Sequence, residues 1–244
     1  LSTFHSLGVR ILRETIDLLG YHKNFVIYDS QDQLALIRNL MDEEGISESP
    51  LIDPKSAQQM IHHAKTRGTS PEELLVPNAL PRTRLASQLY RLYQETLKGC
   101  NALDFEDILN FCLKLFESHA EKMQEMRDRF RYVMVDEYQD TNSVQYRLLK
   151  HLVRDHRNLC VVGDDDQSIY GWRGAEPGNL FQFEKDFPDV KVVRLEQNYR
   201  STEVILKAAN ALIENNSQRM PKTLWSEKPA GELLGWIEAE DEVL

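Results

Sequence analysis

The sequence predicts an α/β protein, a parallel sheet with a run of helices inserted into it. Short apolar runs at 132–135, 159–162 and 190–195 each end in polar loop residues and give way to helical periodicity. Strands that alternate with helices imply a parallel sheet. The first hundred residues hold several amphipathic helical patterns and no strong strand alternation. At roughly 150 residues per domain, 244 residues allow one large domain or two small ones, enough for a buried core.

The elements follow in order. Phe4, Leu7, Ile11 and Leu19 lie mostly at three- and four-residue steps, which predicts a helix closed by Gly20 as its C-terminal cap. Ser30 and Gln33 have capping-box spacing ahead of Leu34, Ile37 and Leu40. Asp53-Pro54 and Ser70-Pro71 each read as an N-cap followed by proline at the first helical position. Residues 82–98 form an amphipathic helix with Leu85, Leu89 and Leu92 inward. Beyond the third apolar run, 201–216 reads as a helix and 233–238 as a strand.

Composition excludes several classes. With 41% hydrophobic and 28% charged residues the chain is neither disordered nor fibrous. No apolar run approaches the roughly 20 residues of a membrane-spanning helix. The first residues lack the basic and apolar regions of a secretory signal. Cys100, Cys112 and Cys160 have no CxxC spacing and form no disulfide framework, so a reducing compartment, the cytoplasm, is expected. The formal net charge of −10 argues against a grip on nucleic acid through bulk positive charge. That excess is uneven: residues 1–103 hold 11 basic and 12 acidic side chains, 104–200 hold 14 and 19, and 201–244 hold 4 and 8.

The chemistry-bearing residues fall in three loops. Asp136-Glu137 directly follows the run Val133-Met134-Val135. Ligands of open parallel sheets bind beyond the carboxyl ends of the strands. One carboxylate there can hold a hydrated Mg²⁺, and the other can orient or deprotonate an attacking water. Taken alone, such a pair is more often the acid-rich start of a helix. The second loop, 163–175, packs carboxylates, Gln167, Tyr170, Trp172 and Arg173 between glycines. Gln167 can report on a terminal phosphate through its amide. Tyr170 and Trp172 can stack on unpaired bases, each contact worth about 1–3 kcal/mol. The plainer alternative is a core Trp172 with Arg173 as its surface neighbour. In the third loop, 195–201, Arg200 can reach a phosphate held by another domain, a contribution of about 10³–10⁵ in rate. Tyr199 beside it can stack on a nucleobase; the alternative is a helix N-cap at Ser201 with Arg200 solvated. His62 and His63 fall in no motif and read as solvated helix residues.

In this order DEYQD, GDDDQSIYGWRGA and LEQNYRS resemble motifs II, III and IV of the superfamily 1A DNA helicases, the Rep/PcrA/UvrD group. Ser2-Thr3-Phe4-His5-Ser6-Leu7 resembles the TFHS element of that family. Leu103-Asp104-Phe105-Glu106-Asp107-Ile108-Leu109 resembles its LDFDDL element. The resemblance implies a RecA-like P-loop NTPase fold with an inserted all-helical subdomain, using ATP and Mg²⁺. It also implies translocation 3′→5′ on single-stranded DNA toward duplex junctions. By the same resemblance Asp136 holds Mg²⁺, with Glu137 beside it as general base. Gln167 senses the γ-phosphate, Tyr199 stacks near the adenine and Arg200 is the arginine finger. Phe4, His5, Tyr170, Trp172 and Arg173 serve the single-stranded DNA path. The implied division is 1–12 for part of domain 1A, 13–100 for domain 1B, 101–197 for the rest of 1A and 198–244 for the start of 2A.

No G-x-x-x-x-G-K-[ST] loop occurs in the sequence, although that loop cradles the β- and γ-phosphates in this class. In the family it lies upstream of the TFHS element, while motifs V and VI and domain 2B lie further along the chain. Residue 1 is Leu, not Met. The expectation is an internal piece of a longer helicase that does not hydrolyse ATP by itself. Two alternatives are a noncatalytic nucleic-acid-binding or scaffold module, and part of a RecB-type helicase–nuclease. A scaffold would have no need of Asp136, Glu137, Gln167 and Arg200 together.

Overall fold

The computed structural model describes residues 1–171, 174–176, 178–217 and 219–238. The chain divides into two compact units. One holds Leu1–Gly163 and Ser168–Leu180, and the other holds Asp164–Gln167 and the chain from Phe181 onward.

In the first unit α1 (Phe4–Thr15) starts at Thr3, whose side chain accepts from the Ser6 N–H. Its apolar stripe places Ile11 and Leu12 in the core. A 3₁₀ turn (Ile16–Leu19) follows, and Gly20 caps it at φ 80°, as its position predicts. This helix packs on α5 (Phe105–Ser118). A Cβ at Gly8 would lie 2.7 Å from Ile108 Cγ2, so glycine sets how closely the two helices approach. Ile108, Leu109, Cys112, Leu113, Leu115 and Phe116 are all buried, because α1, α6 (Ala120–Arg129) and α7 (Ser143–Val153) surround α5.

A second core belongs to the helices before α5. Ile37 and Met41 of α2 (Ser30–Glu43) meet Ile61 of α3 (Pro54–Thr66) and Leu89, Tyr93 and Leu97 of α4 (Pro81–Gly99). Asp53 caps α3 with Pro54 at its first position, as predicted. The capping box on α2 lies one residue earlier than the sequence suggests. Asp29 accepts from the Gln31 and Asp32 N–H groups, and Asp32 accepts from the Asp29 N–H. A carboxylate at residue 29 thus takes the cap that Ser30 was expected to fill. After Ser70-Pro71 only a 3₁₀ turn (Glu72–Leu74) forms, although Ser70 and Glu73 do exchange side-chain to backbone bonds. Pro77 explains the early stop, because it disfavours helical backbone at the residue before it.

The strands are short. β1 (Val26–Ile27) pairs in parallel with β2 (Ala102–Leu103), a pairing the sequence reading missed because two residues show no alternation. The predicted strands at 132–135 and 159–162 become β3 (Val133–Val135) and β4 (Leu159–Val161). They pair in parallel, Val133 with Leu159 and Val135 with Val161, and α7 makes the crossover. Asn142 and Gln145 cap α7 reciprocally.

The third expected strand, 190–195, is not formed. Among the described residues nothing pairs with it, and Val192, Val193 and Leu195 are exposed. An apolar β-branched run becomes a strand only beside a neighbour that takes its backbone groups. Only Gln197, just beyond it, makes an isolated parallel bridge, to Trp225. For the same reason 233–238 forms no strand, and Leu233, Trp236 and Ile237 lie open to solvent.

In the second unit, α8 (Gly178–Asp186), which begins in the first unit, leads to α9 (Glu203–Ile213). α9 starts later than the predicted 201, because the Arg200 and Ser201 N–H groups are both held by Asn198 Oδ1 outside the helix, and it ends at Ile213 instead of 216. No helix among the described residues is long and apolar enough to cross a membrane.

Candidate functional site

The paired carboxylates lie directly beyond the carboxyl end of β3. Both side chains are exposed. Asp136 Oδ1 accepts from the Glu137 N–H at 3.0 Å, which fixes the carboxylate on its own turn. Glu137 has left-handed backbone, φ 50° and ψ 44°, which costs a non-glycine residue roughly 1–2 kcal/mol. The surroundings hold it there. Tyr138 N–H donates to Val162 O at 2.9 Å, Gln139 Nε2 donates to Glu137 Oε2 at 2.7 Å, and a short 3₁₀ turn (Tyr138–Asp140) follows. A Cβ on Gly163 would lie 2.9 Å from Gln139 Oε1, so the glycine two residues after β4 lets this turn sit tightly. Burial, then the Glu137 charge, raises the Asp140 carboxyl above the usual carboxylate range. The donor set of two exposed carboxylates at a strand end fits a hydrated Mg²⁺, which prefers one or two carboxylates and keeps several waters.

The turn is tied to the loop that follows β4. Thr141 O accepts from Glu176 N–H at 3.0 Å and from Asn179 Nδ2 at 2.9 Å. Tyr170 is exposed in that loop, its carbonyl accepting from Ala175 N–H. Trp172 and Arg173 lie outside the described residues.

At the start of α1, Phe4 and His5 are half-buried. The His5 ring stacks on Phe105 of α5, centroids 3.8 Å apart at 21°. Phe105 is exposed, so the stack forms an aromatic surface at the N-termini of α1 and α5. Beside it His62 Nδ1 lies 3.0 Å from Glu106 Oε1. His62 is therefore not simply solvated, as its sequence suggests, whereas His63 is exposed. The two histidines near Glu106 shift in opposite directions. Burial lowers His5 against the opposing Glu106 charge, while the Glu106 hydrogen bond raises His62. The His62–Glu106 pair thus contributes fully below pH 6.5 and is lost as pH rises through the folded value. NMR titration is expected to place His62 above 6.5 and His5 below it, and Glu106→Gln to lower His62. The reverse order would refute the pairing.

Sequence reasoning missed the cluster beneath this surface. Lys65 Nζ, fully buried, lies 2.5 Å from Asp104 Oδ2 and 2.8 Å from Asp107 Oδ1. Tyr93 donates its hydroxyl to Asp104 Oδ2 at 3.0 Å, and Gln94 Nε2 donates to Asp107 Oδ1. Asp104 and Asp107 also form the capping box of α5. A signal existed: Ala57, Ile61, Ala64 and Lys65 follow the helical apolar stripe, so Lys65 sits where a core residue belongs.

In the second unit Gln167 is exposed and donates Nε2 to Asp164 Oδ2 at 2.6 Å. Tyr199 and Arg200 are also exposed, on a turn built by Asn198. The Tyr199 hydroxyl donates to Gln197 Oε1 at 2.7 Å, and Arg200 O accepts from Lys228 Nζ at 2.9 Å. The assigned residues are thus divided between the units. Phe4, His5, Asp136, Glu137 and Tyr170 belong to the first, and Gln167, Tyr199 and Arg200 to the second.

An α/β unit with paired carboxylates beyond a parallel strand is the class in which nucleotide-hydrolysing motors are found. Residues 1–188 match the UvrD/REP helicase N-terminal domain, and residues 193–243 the UvrD-like helicase C-terminal domain. The chain belongs to the UvrD/REP helicase family. Its relatives include ATP-dependent DNA helicase PcrA of Bacillus subtilis (strain 168), 45% identical over 242 residues, covering 99% of this chain and 33% of the relative. PcrA of Staphylococcus aureus (strain NCTC 8325 / PS 47) is 43% identical over the same length, with the same coverage. The chain therefore spans about a third of the length of the curated relatives it matches.

Proposed function

We propose that this chain supplies part of the motor of an ATP-dependent DNA helicase acting in DNA repair or replication. The motor moves 3′→5′ on single-stranded DNA and opens duplex junctions. The observation that carries the reading is the Asp136–Glu137 turn at the carboxyl end of β3, in a chain whose relatives are named ATP-dependent DNA helicases. A cytoplasmic location goes with it. Residues 1–12 and 101–197 form domain 1A, 13–100 the inserted helical domain 1B, and 198–244 the start of domain 2A.

Asp136, with Glu137 beside it, would hold Mg²⁺. When bound, the ion supplies positive charge that neutralises the phosphate oxygens. Glu137 orients the attacking water and takes its proton. Gln167 bonds the γ-phosphate through its amide, and Arg200 brings positive charge to the same group as the transition state forms. Tyr199 stacks on the adenine. Phe4, His5, Tyr170, Trp172 and Arg173 serve the unpaired strand, where stacking needs a few aromatics and no basic surface. That accounts for DNA binding by a chain of net charge −10.

The test is ATP turnover by the full-length protein with and without single-stranded DNA. Stimulation by DNA is expected, and its absence would overturn the reading. The 244 residues alone contain no G-x-x-x-x-G-K-[ST] loop and are expected to show no turnover.

A further inference from the structure

Basic side chains gather where α6 and α7 end. Residues 127–131 and 150–158 hold six Lys and Arg against two Asp, in a chain with 29 basic and 39 acidic residues. Both segments run directly into strands, β3 at Val133 and β4 at Leu159. They therefore lie at the opposite end of the strand pair from Asp136 and Glu137, and all of them belong to the first unit. Asn158 ties the two segments together. Its Nδ2 donates to Arg131 O at 3.0 Å, and its carbonyl accepts from Val133 N–H at 3.0 Å. Between the segments is a cleft of about 300 Å³, with Arg127, Arg131 and Tyr132 from one and Asp155, His156 and Asn158 from the other.

Helix dipoles explain part of this gathering. Cations are favoured in the last turn of a helix, and Arg127, Arg129 and Lys150 stand there. Two of these are also paired: Arg127 Nη1 lies 2.9 Å from Asp155 Oδ2, and Arg129 Nη1 lies 3.6 Å from Glu14 Oε2. The dipoles do not explain Arg131 and Arg157, which lie beyond the ends of the two helices. Arg131 and Arg154 are exposed, and among the described residues no acid lies within ion-pair distance of either. Arg157 is exposed too, with left-handed backbone at φ 54°, a conformation that glycine adopts without strain. What the turn gains from an arginine there is a third exposed guanidinium beside the cleft. Guanidinium groups match phosphate oxygens two at a time, which a lysine ammonium cannot do.

We propose that Arg131, Arg154 and Arg157 form a second DNA contact, which binds the phosphodiester backbone apart from the aromatic residues that stack on bases. This rests on the helicase reading above, which makes DNA the polyanion at hand. The surface is within reach of the same DNA molecule. Glu14, the partner of Arg129, is on the last turn of α1, and His5 is on the first. Nine residues at 1.5 Å each put about 14 Å between those turns, roughly four steps of a nucleic-acid backbone. Stacking is nearly indifferent to net charge. A phosphate contact instead releases counterions, so its share of the affinity falls as salt rises.

The experiment measures binding of the full-length protein to a forked duplex, and to its single strand alone, across a salt series. Arg131→Gln combined with Arg154→Gln and Arg157→Gln is expected to weaken binding roughly 10- to 100-fold at low salt. The slope of log affinity against log salt is expected to flatten by about 2–3. A loss confined to the fork assigns the contact to duplex backbone, and a loss on both assigns it to the single strand; either result supports the proposal. Arg157→Gly separates binding from folding. Relief of the left-handed turn is expected to leave the melting temperature equal or higher, while DNA affinity falls by roughly two- to fivefold. Affinity and slope of the triple variant unchanged on both substrates would overturn the proposal and leave the surface to an acidic protein partner. So would a fall in affinity at an unchanged salt slope, which marks lost structure and not lost phosphate contacts. If the wild-type protein binds neither substrate and shows no DNA-stimulated turnover, the helicase reading has failed. If it does both and the triple variant binds equally well, the proposal alone has failed.

Discussion

Glu137→Gln in the full-length protein is expected to bind ATP and lose turnover by about 10³-fold, within the 10²–10⁴ that a positioned general base contributes. A factor of 10³ corresponds to about 4 kcal/mol of transition-state stabilisation. The substitution is chosen for what it preserves. Gln has the size of Glu, and its amide oxygen can still accept from Gln139 Nε2, which lies 2.7 Å from Glu137 Oε2. The left-handed backbone at φ 50° is no harder for Gln than for Glu, so the turn is expected to stay. What disappears is the proton acceptor and one negative charge beside Asp136. Nucleotide affinity within a few-fold of wild type, together with lost kcat, is the expected pair of results. Turnover within tenfold of wild type would remove Glu137 from the mechanism and leave Asp136 or another group as the base.

Sequence patterns revealed most of the helices and the two central strands, for a physical reason. A helix writes its buried face into spacing, as Ile11 and Leu12 do on α1, and into caps such as Asp53-Pro54 and Gly20. The strand β3 is legible because a buried parallel strand is a continuous apolar run. The same signal misled at 190–195, where Val192, Val193 and Leu195 have the composition of a strand and no ladder partner among the described residues. Composition records what a segment can bury, not whether a neighbour is present. The turns that carry Asp136, Glu137, Gln167 and Arg200 were legible as motifs, but their supports were not. Lys222 is one lysine among many in the sequence, and only folding shows it between three aspartates that lie far earlier in the chain, Asp165 by 57 residues. His62 was misread in the same way: its partner Glu106 is too distant in sequence for any local pattern to report.

Lys65→Met is the substitution expected to cost the fold most, about 3–5 kcal/mol, because removing one partner of a buried ionic cluster strands the others. Lys65 is 1% exposed, as is Asp104, and Asp107 is 2% exposed, so no water replaces the lost ammonium. One cation cannot neutralise two buried carboxylates. Burial lowers Lys65 and the two aspartates more than restore it, whereas burial and the Asp104 charge push Asp107 up. Asp107 therefore holds on to its proton more firmly than a free carboxyl does. Without Lys65 both acids lose their cation while still tied to the α5 cap, and the start of that helix carries Phe105 and Glu106. Chemical denaturation of the chain should show the loss, along with a melting temperature lower by about 10 °C for a protein of this size. His5 should change with it, since its stacking partner Phe105 sits on the disturbed turn, and the His5 titration should move back toward 6.5. Lys65→Met combined with Asp107→Asn should recover part of the stability by removing the more poorly neutralised acid. A loss below about 1 kcal/mol for Lys65→Met alone would mean that the cluster contributes no more than a surface pair. The link from the core of α3 and α4 to the aromatic surface at α1 would then have to run through apolar packing instead.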